Sequence, residues 1–170
     1  EKAESADLTA VALKMANRTL SAVDIVFDGN LYEIICEGFM TEGYLQDKAE
    51  RLLVNGKCVV VSGLKEMLKV LHVEERVGLY DLDIANYLIN PVVSVKPGEI
   101  DVLTVWKEFA DAKKRLDELG MWELYTDMEM PLVFTLAGME MAGVKMNAEA
   151  LMEYGNALAV KIAELEERIY

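Results

Sequence analysis

The chain carries one histidine, two cysteines and three prolines, and each scarcity removes a class of function. A Ser–His or Cys–His nucleophile would have to be built on His72, which sits beside Glu74 and Glu75 with no nucleophile near it in the pattern; it is expected to be a surface residue. Cys36 and Cys58 lie on separate apolar segments without metal-ligand spacing, so free core thiols in a reducing compartment are expected. There is no glycine-rich phosphate loop, because Asn55-Gly56-Lys57 lacks the required spacing. No apolar run approaches the roughly 18 residues of a membrane helix. Positive charge is also short: 17 basic against 30 acidic residues leave a net charge of −13, a surface that repels phosphate backbones. Residue 1 is Glu, and no signal or transit pattern follows it, so a processed or excised product is expected.

What is present is enough apolar residue, 53%, for a core. Residues 8–15 suit a strand, Asn17-Arg18 turns the chain, and 21–27 reads as a second strand. Asp28-Gly29-Asn30 is a hairpin signal, with 31–37 returning as a third strand. The pattern then changes. Residues 47–54 are helical, with Leu45, Ala49, Leu52 and Leu53 inward. The run 57–61 has no polar alternation, as in a central strand covered on both faces. Ser62-Gly63 leads into a short helix bearing Leu64, Met67, Leu68 and Leu71, and 77–80 forms a fifth strand. A helix over 81–89, with Asp81 well placed as its cap, is stopped by Asn90-Pro91. A long helix from residue 100 carries Val102, Val105, Phe109, Ala112, Leu116 and Leu119, and Gly120 closes it. An antiparallel meander followed by alternating helices and strands predicts an α/β fold with a mixed sheet.

The last forty residues hold two further helical patterns. Leu132, Leu136 and Met139 step down one face, and Gly143 ends that helix. Asn147 is an N-cap for a second helix whose stripe is Leu151, Tyr154, Leu158, Ile162, Leu165 and Ile169, with Glu164 and Arg168 spaced as an i,i+4 pair. This helix reaches the last residue without a cap, as expected of a piece of something longer.

Glu129-Met130-Pro131-Leu132, then Met139-Glu140 with Gly143-Val144-Lys145, strongly resembles the segment of family A DNA polymerases, the bacterial DNA polymerase I group, that joins the exonuclease domain to the polymerase thumb. Upstream, Tyr80-Asp81-Leu82-Asp83-Ile84-Ala85-Asn86-Tyr87-Leu88-Ile89-Asn90-Pro91 is similar to the same family's F-D-T-x-L-x-x-Y-L-L-N-P stretch. The resemblance implies a ribonuclease-H-like 3′–5′ exonuclease fold over 1–120 and a helical extension toward the thumb over 121–170. It also implies a cytoplasmic protein that meets DNA through a parent polymerase whose remaining domains lie in cis, with Mg²⁺ serving that parent and no membrane partner.

In that family the exonuclease is a two-metal phosphodiesterase built on carboxylates. Where its first-strand D-x-E belongs, the resemblance sets Ala12 and Lys14. Its N-L-K-Y-D motif corresponds to Gly63-Leu64-Lys65-Glu66-Met67, so Met67 stands in the aspartate's place. Its Y-x-x-x-D corresponds to Val95 and Glu99. An ammonium and a thioether cannot replace hard oxygen ligands to Mg²⁺. The expectation is therefore a vestigial, non-catalytic domain with no catalytic residue, no metal and no cofactor of its own. Two alternatives stand beside it: a metal-dependent exonuclease using displaced carboxylates among Glu66, Asp81, Asp83, Glu99 and Asp101, and an acidic protein-interaction module.

Overall fold

The computed structural model describes residues 2–17, 19–92 and 98–169. After a short helical turn, α1 (Lys2–Ser5), strands β1 (Thr9–Ala16), β2 (Thr19–Phe27) and β3 (Asn30–Ile35) form an antiparallel meander. Asp28 (φ 50°) and Gly29 (φ 74°) turn the second hairpin, both left-handed as a two-residue turn between twisted strands requires. Helix α2 (Glu42–Asn55) follows, then β4 (Val59–Val61), α3 (Leu64–Met67), β5 (Leu79–Asp81) and α4 (Leu82–Ile89). Among the described residues the strands make one sheet in the order β3-β2-β1-β4-β5; β4 is parallel to both β1 and β5. A mixed sheet of this order, flanked by helices, is the ribonuclease-H-like arrangement, and the chain continues beyond it as a helical extension.

Every residue of β4 is fully buried, which is why that stretch shows no polar alternation. Helix α2 begins five residues earlier than its apolar pattern suggests. Thr41 supplies the reason, since its side chain accepts the Tyr44 N–H as an N-cap. Helix α5 (Val102–Glu118) buries Val102, Val105, Phe109, Ala112 and Leu116 on one stripe, packing against β1, β2 and β4.

The extension is helical from just after Gly120: α6 (Trp122–Leu124) runs into a π-helical turn, Tyr125–Glu129, and then α7 (Met130–Ala142). It departs from expectation in one place: α7 buries Met130, Val133 and Ala137, whereas Leu132, Leu136 and Met139 are exposed. The helix is apolar nearly all round, so spacing alone could not choose between its faces. Helix α8 (Ala148–Ile169) has no buried residue, and its apolar stripe is open to solvent.

Tyr125 fixes the extension to the sheet. It is fully buried, and its hydroxyl both accepts from the Asp81 N–H (2.9 Å) and donates to the Asp81 carbonyl (2.9 Å). Its ring belongs to a cluster with Tyr80, Phe109 and Trp122, at centroid separations of 5.2–6.0 Å. Farther along, Glu140 of α7 pairs with both Lys65 and Lys69 at α3. Those two ammonium groups hold the Glu140 carboxyl down at about 2. Tyr125→Phe keeps the ring and strands two buried backbone groups at Asp81. It is expected to lower stability by roughly 1–3 kcal/mol in equilibrium denaturation, with the secondary structure retained.

Candidate functional site

The candidate site is the corner where β1 and β4 end and α3 and α4 begin. Gly63, in the left-handed region (φ 76°), turns β4 into α3. Beside this turn is a cleft of about 200 Å³, walled by Ala12, Leu13, Met67, Val70, Ile100 and Val105, with Ser62 and Glu66 also lining it. The structure therefore brings Ala12 and Met67 to one cleft. Met67 is 6% exposed and lies in the same core cluster as Leu64, Leu68 and Leu71. Its sulfur is a flexible apolar filler there.

Lys14 is directed elsewhere. Its ammonium bridges Asp24 of β2 (2.9 Å) and Glu33 of β3, and these two carboxylates, Glu33 first, raise its pKa. Asp24 is nearly buried, and its other oxygen has no partner, so Lys14 neutralises a carboxylate that would otherwise be poorly solvated. Glu99 follows Gly98 at the start of the third described stretch, and Val95 lies outside the described residues.

The carboxylates named as displaced ligands are engaged by the fold. Asp81 is 3% exposed; its Oδ2 accepts the Leu64 N–H (2.6 Å) and its Oδ1 the Asp83 N–H (2.9 Å), so it caps α4 and holds the start of α3 together. Asp83 accepts from the Ser62 hydroxyl (2.9 Å) and the Gly98 N–H (3.0 Å). Asp101 caps α5 by accepting from Thr104 N (3.0 Å), and Glu66 pairs with Lys69 (2.8 Å). Among the described residues no three His, Cys, Asp or Glu side chains gather closely enough to hold a metal ion. His72 is almost fully exposed, with Nδ1 3.6 Å from Glu50. Cys36 and Cys58 are free and half-buried.

The feature that pattern did not reveal is the burial of Asp81. The cap itself is legible, because Asp precedes an apolar helix; the Tyr125 ring that seals it is 44 residues away. Burial, and secondarily the Asp83 carboxylate, push the Asp81 carboxyl up to about 6, against the opposing pull of the N–H groups it accepts from. The same burial, with the Asp81 charge, keeps the Tyr125 phenol neutral by raising it well above its ordinary value.

The raised Asp81 pKa carries a defined pH dependence. The folded chain binds a proton more tightly than the unfolded chain, whose Asp titrates near 3.8. The resulting stabilisation is full below about pH 4 and is lost as pH rises through about 6, a loss on the order of 3 kcal/mol. A carboxyl-carbon NMR titration is expected to give Asp81 a midpoint near 6, and wild type is expected to lose more stability than Asp81→Asn between pH 4 and 7. A midpoint below 4 contradicts the assignment.

Comparison with known proteins adds a partial likeness. No family model matches the chain. A stretch of 53 residues is 42% identical to DNA polymerase I of Chloroflexus aurantiacus. Stretches of 57 residues are 42% identical to DNA polymerase I of Streptococcus pneumoniae and 37% identical to that of Bacillus subtilis. These stretches cover 31–34% of this chain, and they span only 6% of the length of each relative. No described helix is long and apolar enough to cross a membrane. Over about a third of its length, then, the chain is homologous to bacterial DNA polymerase I proteins.

Proposed function

We propose that this chain is a non-catalytic 3′–5′ exonuclease-like domain of a bacterial DNA polymerase I, residues 1–120, joined to the helices that lead into the polymerase thumb, residues 121–170. The observation that carries this is the chemistry of the cleft. Met67 presents a buried thioether and Ala12 a methyl where a two-metal nuclease needs carboxylate oxygens. The sheet order and the partial likeness to DNA polymerase I support the family half of the proposal.

The donor set does not fit a pair of magnesium ions. Mg²⁺ takes near-octahedral oxygen ligands, and a Lys14 ammonium already bound to Asp24 and Glu33 supplies none. Asp81 and Asp83 retain carboxylates, but their oxygens are occupied by N–H and O–H donors that hold the corner together. Recruiting them would cost those bonds, and for Asp81 also full ionisation in a buried setting. No hydrolytic step through a metal follows from these residues.

The role we assign is architectural. The Tyr125–Asp81 clamp and the Lys65–Glu140–Lys69 bridges hold α6 and α7 against the α/β unit. Such a unit fixes the base of a thumb while DNA contact and Mg²⁺ chemistry belong to the rest of the parent protein in the cytoplasm. The test is an assay with 5′-labelled single-stranded DNA in Mg²⁺ and in Mn²⁺. No shortening from the 3′ end is expected. Metal-dependent shortening that disappears in Asp83→Asn would overturn the proposal in favour of displaced ligands.

A further inference from the structure

We propose that the helical extension from α6 through α7 opens away from the sheet as a unit while the α/β part stays folded, and that the Asp81 carboxyl governs the opening: protonated it keeps the extension docked, ionised it releases it. Four side chains of residues 121–142 are buried, Tyr125, Met130, Val133 and Ala137. The sheet and the helices on it supply the rest of the core. A segment with so few buried contacts opens at lower free energy than the core it leans on. Residues 119–121 join it to α5. Gly120 there is left-handed (φ 66°), with nothing within 4 Å of where a Cβ would stand, so no packing locks the joint.

Both polar attachments of the extension pass through Asp81. Its peptide group holds the Tyr125 hydroxyl directly, and Asp81 is left 3% exposed. Its carboxylate accepts the Leu64 N–H (2.6 Å) and so fixes the start of α3; Lys65 and Lys69 just beyond pair with Glu140 of α7. Docking keeps water from this carboxyl group, and opening returns water to it. The titratable groups facing it are Asp83 on α4 and Tyr125 in the π-helical turn, while the turn into α3 presents the Gly63 and Leu64 amides. Burial holds the Tyr125, Tyr80 and Cys58 side chains above their ordinary values, so all three stay neutral between pH 4 and pH 7. Glu140, held at about 2 by Lys65 and Lys69, stays charged there. Asp81, at about 6 when docked, is the attachment group that passes from protonated to ionised in that window. Because its docked value is raised, its contribution to docking is full at low pH and is lost as pH rises through about 6. If opening restores a value near 3.8, the opening constant rises by up to roughly fiftyfold between pH 4 and pH 7. The device belongs to this chain's own bonds and does not depend on a parent polymerase.

Amide hydrogen exchange of the full chain, followed by NMR at pH 4 and pH 7 and divided by the intrinsic rate of each amide, tests this. Undocked, the 13-residue α7 is marginal as a helix, so its amides report the opening. The amides of Val133, Phe134 and Ala137 are expected to be less protected than those of Val11, Val26 and Val60 in the sheet. Their opening constant should rise roughly ten- to fiftyfold from pH 4 to pH 7. Asp81→Asn should hold that rise below about threefold. Tyr125→Phe, which keeps the ring and the carboxyl, should raise α7 opening roughly tenfold at both pH values. Four results each overturn the proposal: α7 amides as well protected as the sheet amides, a rise below about threefold in wild type, a full rise in folded Asp81→Asn, or α7 opening unchanged in Tyr125→Phe.

Discussion

The hydroxyl of Tyr125 accepts from the amide and donates to the carbonyl of one residue, Asp81, at the junction of β5 and α4. The carboxylate of that residue accepts the amides that start α3 and α4. The edge of the sheet, the cleft-lining helix and the helical extension therefore meet at Asp81. Burying a carboxylate there is expensive, which its raised pKa records. The N–H groups it accepts offset part of that cost. The constraint reaches the function as well: an Asp81 committed to backbone donors has little left to offer a cation.

Seen from this corner, the cleft follows a consistent logic. Ala12 and Met67 make its wall apolar, and Met67 joins the core beneath it. Lys14 has been drawn into a cross-strand bridge that neutralises Asp24 and Glu33. Asp83 ties the end of β4 to Gly98 through Ser62. Asp81 and Asp83, the carboxylates beside the cleft, hold neighbouring segments together. On the proposed function, a nuclease-like shape is kept while its former ligand positions serve packing.

The meander and the parallel pair were legible because strands announce themselves by local means. Asp28-Gly29 turns a hairpin on its own, and the unbroken apolar 59–61 can only be a covered strand. Met67 was likewise legible as a core residue from its spacing with Leu64, Leu68 and Leu71. What could not be read depends on tertiary choice. Helix α7 offers two apolar faces, and the one with Met130, Val133 and Ala137 is buried through contacts set by α3 and Tyr125. The turn holding Trp122 and Tyr125 has too many charged neighbours to show a period, yet its aromatics pack on Tyr80, which in turn stacks on Phe109. The α8 stripe was plain in the sequence, and it lies open in the structure.

The central claim is that this corner is a packed junction with no usable divalent-cation site. Amide NMR of the full chain during a Mn²⁺ titration tests it most directly, since a bound Mn²⁺ broadens the resonances around it. The account predicts weak, non-saturating broadening spread over the acidic surface, with the amides of Ala12, Met67 and Asp83 no more affected than the rest. Saturable broadening centred on those three amides would contradict it.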